Sequence, residues 1–301
     1  MRIEKAMRSG ARARQEAEQL SASLPPLLVA AERVAQTVAQ GVHGRRRVGQ
    51  GESFWQFRRY QPGDATATID WRQSAKSQAV FVREREWEAA QSVWLWRDAS
   101  ASMAYASGAD LPPKRNRAEL LLLATAALLV RGGERVSLLG SGEIPATGRA
   151  GFNRLADHLL SDAPAADSLP RPVPMPRAAQ IVLYGDFLST IDEIRMMVAG
   201  FAAQGVRGQL VQILDPAEES LPFAGRVRFG GMEGEGETLL GRVESIRETY
   251  HRRLADHRAE IAALTRRAGW GFILHHTGSP PQTVLLPLYT ALAGPVGPRG
   301  R

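Results

Sequence analysis

Residues Ser92–Met103 read SVWLWRDASASM, an apolar run that leads directly into a short polar loop. Residues 93–96 are apolar at successive positions, which is typical of a central strand covered on both faces. Asp98, Ser100 and Ser102 follow at alternate positions, so we expect their oxygen-bearing side chains to lie on one side of the loop. Open α/β sheets bind ligands at this edge, past the carboxyl ends of their strands. Oxygen ligands favour a hard divalent cation such as Mg²⁺ or Mn²⁺.

Strands and helices alternate through the rest of the chain. Further apolar strands are predicted at 135–140, 179–184, 208–214 and 269–274, and helices at 117–130, 152–160, 191–203, 242–268 and 284–293. This alternation predicts an α/β fold with a doubly wound, mostly parallel sheet and helices on both faces. Asp186 follows the strand 179–184 and supplies a second carboxylate at the same edge. The glycine-rich residues 218–237 predict a hairpin or flap.

Composition excludes several classes of protein. The chain has 301 residues, of which 44% are hydrophobic, which is enough for a sizeable core. It has no cysteine, so disulfides, thiol catalysis and cysteine-based zinc sites are excluded. The longest apolar block, residues 120–130, is shorter than the roughly 20 residues of a membrane-spanning helix. The N-terminus is charged and lacks the apolar core of a secretory signal, so we expect a cytoplasmic protein without a membrane span.

The distribution of charge and the absence of several catalytic motifs argue against further classes of protein. The formal net charge is +7, but the arginines are spread along the chain and only residues 45–47 form a dense run. This distribution favours ordinary solvated faces over nucleic-acid binding, which needs a concentrated basic surface. The sequence contains no G-x-S-x-G elbow, no Walker lysine motif and no H-E-x-x-H pair among its histidines. These absences argue against a serine hydrolase, an ATPase and a zinc protease.

A second motif lies before the central strand. It reads R-x-Y-x-P-G-D, then I-D-W five residues on, then S-A and an apolar-Arg-Glu strand, and its members are Arg58, Tyr60, Pro62, Gly63, Asp64, Ile69, Asp70, Trp71, Ser74, Ala75, Arg83 and Glu84. Pro62 and Gly63 suit a type II turn. We expect Asp70 to cap a turn and Trp71 to pack as a buried aromatic that docks this segment on the main domain.

Together with the D-x-S-x-S loop, this motif resembles domain-of-unknown-function family fifty-eight. That family consists of von Willebrand factor A-like bacterial proteins often encoded beside MoxR-type AAA+ ATPases. The resemblance implies four parts: an N-terminal helical or flexible segment (1–44), a family-specific segment that docks on the main domain (45–87), a von Willebrand A-like domain (88–290) and a flexible tail (291–301).

The resemblance also implies a metal-ion-dependent adhesion site. Its expected ligands are Asp98, Ser100, Ser102 and Asp186, with Thr147 as the threonine from a middle loop. The expected ion is Mg²⁺, with Mn²⁺ or Ca²⁺ as alternatives. Such an ion keeps a position open for a carboxylate of a partner protein.

The function expected from this resemblance is protein–protein interaction without catalysis. The expected partner is a MoxR-type AAA+ ATPase, its client protein, or both, in chaperone-like or complex-maturation work. Two alternatives from other classes stay open at this point. The first is a metal-dependent hydrolase that uses Asp98 and Asp186, and the second is a basic nucleic-acid-binding module.

Overall fold

The computed structural model describes residues 27, 30–39, 54–61, 66, 69–77, 79–85, 90–161, 167–232 and 236–292. The expected turn at Pro62 and Gly63, Asp64, the arginine run 45–47 and nearly all of the tail lie outside these residues. The chain divides into two compact units, residues 43–90 and the rest. None of the helices in the described ranges combines the length and apolar character that crossing a bilayer requires.

The larger unit is an α/β domain, as predicted. Its elements are the helix α1 (residues 30–39), β3 (Ser92–Arg97), α3 (Lys114–Arg131), β4 (Arg135–Leu138), α4 (Gly148–Ser161), β5 (Gln180–Gly185), α5 (Ile191–Ala202), β6 (Arg207–Leu214), α6 (Pro216–Ser220), β7 (Val227–Gly230), β8 (Glu237–Leu240), α7 (Glu244–Arg267), β9 (Gly271–His276) and α8 (Gln282–Leu292). A short 3₁₀ helix, Ala101–Ala104, follows β3. The smaller unit supplies β1 (Phe54–Arg59), α2 (Trp71–Ser74) and β2 (Phe81–Arg85).

The central sheet has five strands in the order β4-β3-β5-β6-β9, and every neighbouring pair is parallel. The mostly parallel sheet predicted from the alternating pattern is therefore confirmed. From β3 the chain first moves to β4 on one side and then crosses to β5 on the other. The topological switch point thus lies between β3 and β5, where open parallel sheets bind their ligands.

Helices cover both faces of this sheet. All six residues of β5 are buried, and successive side chains enter opposite cores. Val182 and Tyr184 lie in the core that contains α3, α4 and α8, whereas Ile181 and Leu183 lie in the core under α5 and α7. The helix at 30–39 adds buried alanine and valine side chains to the first core, so this part of the N-terminal segment belongs to the main domain.

The smaller unit is built on the antiparallel hairpin of β1 and β2. The expected capping role of Asp70 is confirmed, because its carboxylate accepts the backbone N–H of Gln73 at 2.9 Å. The expected burial of Trp71 is wrong: its side chain is 67% exposed on α2, a helix of four residues without a buried position. No residue of α2 is buried, so the helix has no face packed into a core that would cover the indole ring.

His275 on β9 should make the domain sensitive to acid. Its side chain is only 2% exposed, and burial, then Arg117 and His276, lower its pKa from 6.5 to about 4. The unfolded chain therefore binds the proton first as pH falls, so the free energy of unfolding drops between pH 6.5 and pH 4 and is unaffected by this group above that range. At pH 4 the expected loss is about 3 kcal/mol.

Urea unfolding of the wild type and of His275→Gln at pH 7 and pH 4 checks this expectation. The difference in stability between the two proteins should change by about 3 kcal/mol between these pH values, because only the wild type carries the titrating imidazole. A difference that stays constant with pH would show that His275 does not titrate in this way.

Candidate metal-binding site at the switch point

The loop after β3 is held in shape by its own first residue. The backbone N–H of Asp98 donates to the Tyr184 carbonyl at 2.7 Å, which extends the pairing with β5 by one residue. The Asp98 carboxylate then accepts the Ser100 N–H at 2.7 Å, an Asx-type turn that ends the strand. Asp98 is fully buried and Ser100 is nearly so, which fixes both side chains at the strand end.

Asp186 reaches the same place from the neighbouring strand. Arg97 is level with Tyr184 in the sheet, so the residues that follow β3 and β5 emerge side by side. Gly185 allows this approach, because a Cβ at that position would lie 3.1 Å from the Asp98 Cβ. The next residue, Phe187, has a positive φ of 49°, and its fully buried ring keeps the backbone in this unfavourable turn.

Hydrogen bonds link the hydroxyl groups of this loop to the Asp186 carboxylate. The hydroxyl oxygens of Ser100 and Ser102 lie 3.1 Å apart, and the Ser102 hydroxyl donates to Asp186 Oδ2 at 2.7 Å. Ser102 is part-exposed, whereas Ser100 and Asp186 are buried, so the Ser102 hydroxyl is the most exposed of the three linked groups. The structure thus brings together Asp98, Ser100, Ser102 and Asp186 at the switch point.

Thr147 lies elsewhere. It is exposed and follows Ala146, which pairs with Val136 near the start of β4. Val136 is level with Val93, five residues before Asp98, which corresponds to about 16 Å along the strand. The structure does not bring Thr147 to the other predicted residues, so Thr147 is not part of the proposed ligand set.

A buried lysine is the feature that sequence reasoning missed. The Lys114 side chain is fully buried at the start of α3, and its Nζ donates to Asp186 Oδ2 at 2.9 Å and to Glu218 Oε1 at 2.6 Å. Burial alone would lower the pKa of Lys114, but the carboxylates of Asp186 and Glu218 outweigh it and raise the pKa above its ordinary value. The side chain is therefore an ammonium at neutral pH.

Glu218 is placed by the turn that follows β6. Asp215 and Glu218 form a capping box at α6, in which the Asp215 carboxylate accepts the Ala217 N–H and Glu218 Oε2 accepts the Asp215 N–H, both at 2.8 Å. The second oxygen of Asp215 accepts the Ser107 N–H at 3.0 Å. Asp215 thereby ties the β6 turn to the segment that leads from the D-x-S-x-S loop to α3.

The donor set suits a hard cation. It consists of carboxylate and hydroxyl oxygens, the ligands that Mg²⁺ and Mn²⁺ prefer. Within the described residues, no three side chains of His, Cys, Asp or Glu come together as metal ligands. The serines would therefore have to complete the set around Asp98 and Asp186, with water in the remaining positions. Lys114 already supplies one positive charge to Asp186.

Proteins from two mycobacteria are similar to this chain over most of its length. Uncharacterized proteins of Mycobacterium bovis and Mycobacterium tuberculosis are 28% identical to it over 267 residues, which cover 83% of this chain and 82% of theirs. Neither bears the name of an enzyme.

Two solved structures are more distant. An aerotolerance-related membrane protein from Bacteroides fragilis is 15% identical, with a TM-score of 0.37 over 67% of this chain and 98% of that one. A conserved hypothetical protein, BatB, from Bacteroides thetaiotaomicron is 14% identical, with a TM-score of 0.36 over 68% of this chain and all of that one.

The family comparison covers most of the smaller unit and most of the α/β domain. The family described as "Protein of unknown function DUF58" matches residues 56–260, a range that includes the I-D-W motif, the D-x-S-x-S loop and Asp186. The match accounts for well over half of the chain, and it agrees with the resemblance found in the motifs. The chain therefore belongs to the DUF58 family.

Proposed function

We propose that this protein is a non-catalytic interaction module that binds a divalent cation at the switch point and, through it, a carboxylate of a partner protein. The observation that carries the proposal is the convergence of four oxygen-bearing side chains at one point. Asp98 accepts the Ser100 N–H, and hydrogen bonds link the hydroxyls of Ser100 and Ser102 to the Asp186 carboxylate. When bound, the ion would supply a Lewis-acidic position for an oxygen ligand. The chain's own residues hold the oxygens in place and leave the Ser102 hydroxyl partly exposed.

The local geometry supports binding more than catalysis. The Asp98 carboxylate accepts the Ser100 N–H, and Asp186 accepts both Ser102 and the Lys114 ammonium. The proposed site assigns both carboxylates to the ion, which leaves neither of them to act as the general base that a hydrolase needs to activate water. This arrangement favours the interaction module over the metal-dependent hydrolase.

The partner is proposed from the family resemblance. A MoxR-type AAA+ ATPase, or a client that such an ATPase remodels, would present an aspartate or glutamate to the ion. A hard cation accepts such a carboxylate readily. The work of the complex would then be chaperone-like or the maturation of a larger assembly.

Calorimetric titration with Mn²⁺ tests the metal site directly. We expect weak binding to the wild type, because the site supplies few charges, and at least about tenfold weaker binding to Asp98→Ala, which loses a carboxylate ligand. Asp192→Ala is the matched control, since Asp192 is an exposed aspartate of α5 that pairs with Arg195. Equal Mn²⁺ affinity in all three proteins would remove the metal site from the proposal.

A further inference from the structure

Lys114 is an unusual residue in this chain. Only three of its 38 basic residues are lysines, at positions 5, 76 and 114. Lys114 is fully buried, although an ammonium is strongly hydrated and is expensive to remove from water. Its two carboxylate contacts offset this cost, and one of them is the proposed metal ligand Asp186.

The same oxygen of Asp186 serves both the serine loop and the lysine. Oδ2 accepts the Ser102 hydroxyl at 2.7 Å and the Lys114 ammonium at 2.9 Å, while Oδ1 accepts the Leu188 N–H at 3.3 Å. A hydroxyl can rotate and offer its lone pairs to an ion. An ammonium cannot, because it has only hydrogens to offer and repels a second cation at short range.

Glu218 provides Lys114 with a second carboxylate. Its Oε1 lies 2.6 Å from Nζ, closer than Asp186, and its Oε2 is fixed by the Asp215 N–H at the start of α6. A lysine that leaves Asp186 therefore keeps one charged hydrogen bond. Lysine suits such a shift, because its ammonium is a compact charge on a flexible stem.

We propose that Lys114 is a tethered competitor of the divalent cation, which binds Asp186 only when the ammonium shifts to Glu218. This inference rests on the proposed metal site and adds its regulation. With Lys114 on Asp186 the site is closed to the ion. With Lys114 held by Glu218 alone, Asp186 Oδ2 is free to join Ser100 and Ser102 as a ligand.

Calorimetry with Mn²⁺ on three proteins tests this competition. Lys114→Met keeps the length of the side chain but removes the charge, and it should bind Mn²⁺ at least about tenfold more tightly than the wild type. The double variant Lys114→Met/Glu218→Gln is the matched control, since it removes one positive and one negative charge together. It should also bind more tightly than the wild type, although the formal charge of the cluster is unchanged.

Each outcome decides between explanations. Tighter binding in both variants supports competition, whereas a gain in the single variant that vanishes in the double one shows a general charge effect and overturns it. Equal affinity in all three proteins also overturns competition but leaves the proposed function standing. Binding in the variants without any in the wild type would show that Lys114 is never displaced, which overturns both the competition and the proposed function. Absence of binding in every protein overturns both.

The double variant also guards against misfolding. If Lys114→Met does not fold, because two carboxylates face each other without a cation, the charge-balanced double variant still permits the comparison with the wild type. Adding Asp98→Ala to that double variant should weaken its Mn²⁺ binding at least about tenfold, because the ion would lose a carboxylate ligand. Tight binding that survives this third change would place the ion elsewhere and overturn the proposal.

Discussion

Replacing Lys114 by methionine is expected to lower the free energy of unfolding by about 3–5 kcal/mol in buffer that contains a chelator. The reason is the two carboxylates that remain. Asp186 is 2% exposed and loses a charged hydrogen bond of 2.9 Å, and Glu218 loses one of 2.6 Å. Removing one partner of a buried ion pair costs far more than the pair contributes, because the other charge stays buried without compensation.

Urea unfolding followed by circular dichroism measures this change in the free energy of unfolding, and Lys76→Met is the control variant. Lys76 is an exposed lysine of the smaller unit, so the same chemical change there should shift stability by less than about 0.5 kcal/mol. Mn²⁺ should restore part of the loss in Lys114→Met, since a ligand that binds only the folded state stabilises it. A loss below about 1 kcal/mol would mean that the ammonium does not balance these carboxylates.

The fold could be predicted because its signals are local. The apolar run of β3, the alternation of strands and helices, and aspartates placed directly after β3 and β5 all follow from short stretches of sequence. Parallel strands bring their carboxyl ends to one edge of the sheet, so Asp98 and Asp186 could be paired from the sequence alone. The capping role of Asp70 was equally local, because a cap and its partner are three residues apart.

Features that depend on distant contacts could not be predicted in this way. Lys114 and Glu218 are 104 residues apart, and nothing near either residue indicates that they meet. The scarcity of lysine and the capping pattern at Asp215 were the available signals, but they identify positions and not contacts. Thr147 lies between β4 and α4, the interval in which the metal-site threonine is expected. However, Ala146 before it pairs with Val136 near the start of β4, far from the strand ends where the other predicted ligands lie.

Trp71 shows the same limit for burial. A tryptophan within a conspicuous motif was expected to pack, but residue type gives only a tendency toward the interior. The indole is largely exposed on α2, beside a cap and a hairpin that are themselves well ordered by hydrogen bonds. Because the indole is largely exposed, we expect Trp71→Ala to change the free energy of unfolding, measured in urea, by no more than about 0.5 kcal/mol.

Capture of a partner by this protein is expected to depend on the ion. A MoxR-type AAA+ ATPase, produced together with the tagged chain, should be retained in Mg²⁺ and released by a chelator. Asp98→Ala should weaken the complex by about 30-fold or more, the effect of removing one side of a desolvated charged contact. Asp98→Ala also removes the buried acceptor of the Ser100 N–H, so its circular dichroism spectrum and urea unfolding are compared with those of the wild type before capture is scored.

The design separates the metal contact from general electrostatics. Asp192→Ala removes an aspartate of the same formal charge from an exposed turn of α5, and it should leave capture unchanged. Substituting the partner's acidic residues one at a time should identify a carboxylate whose removal weakens the complex as much as Asp98→Ala does. The losses of binding free energy caused by the two substitutions should not add when both are present, because both substitutions remove the same contact. Capture that persists in chelator, or losses that add fully, would show that the partner is held at another surface and that the oxygens at the switch point are not its binding site.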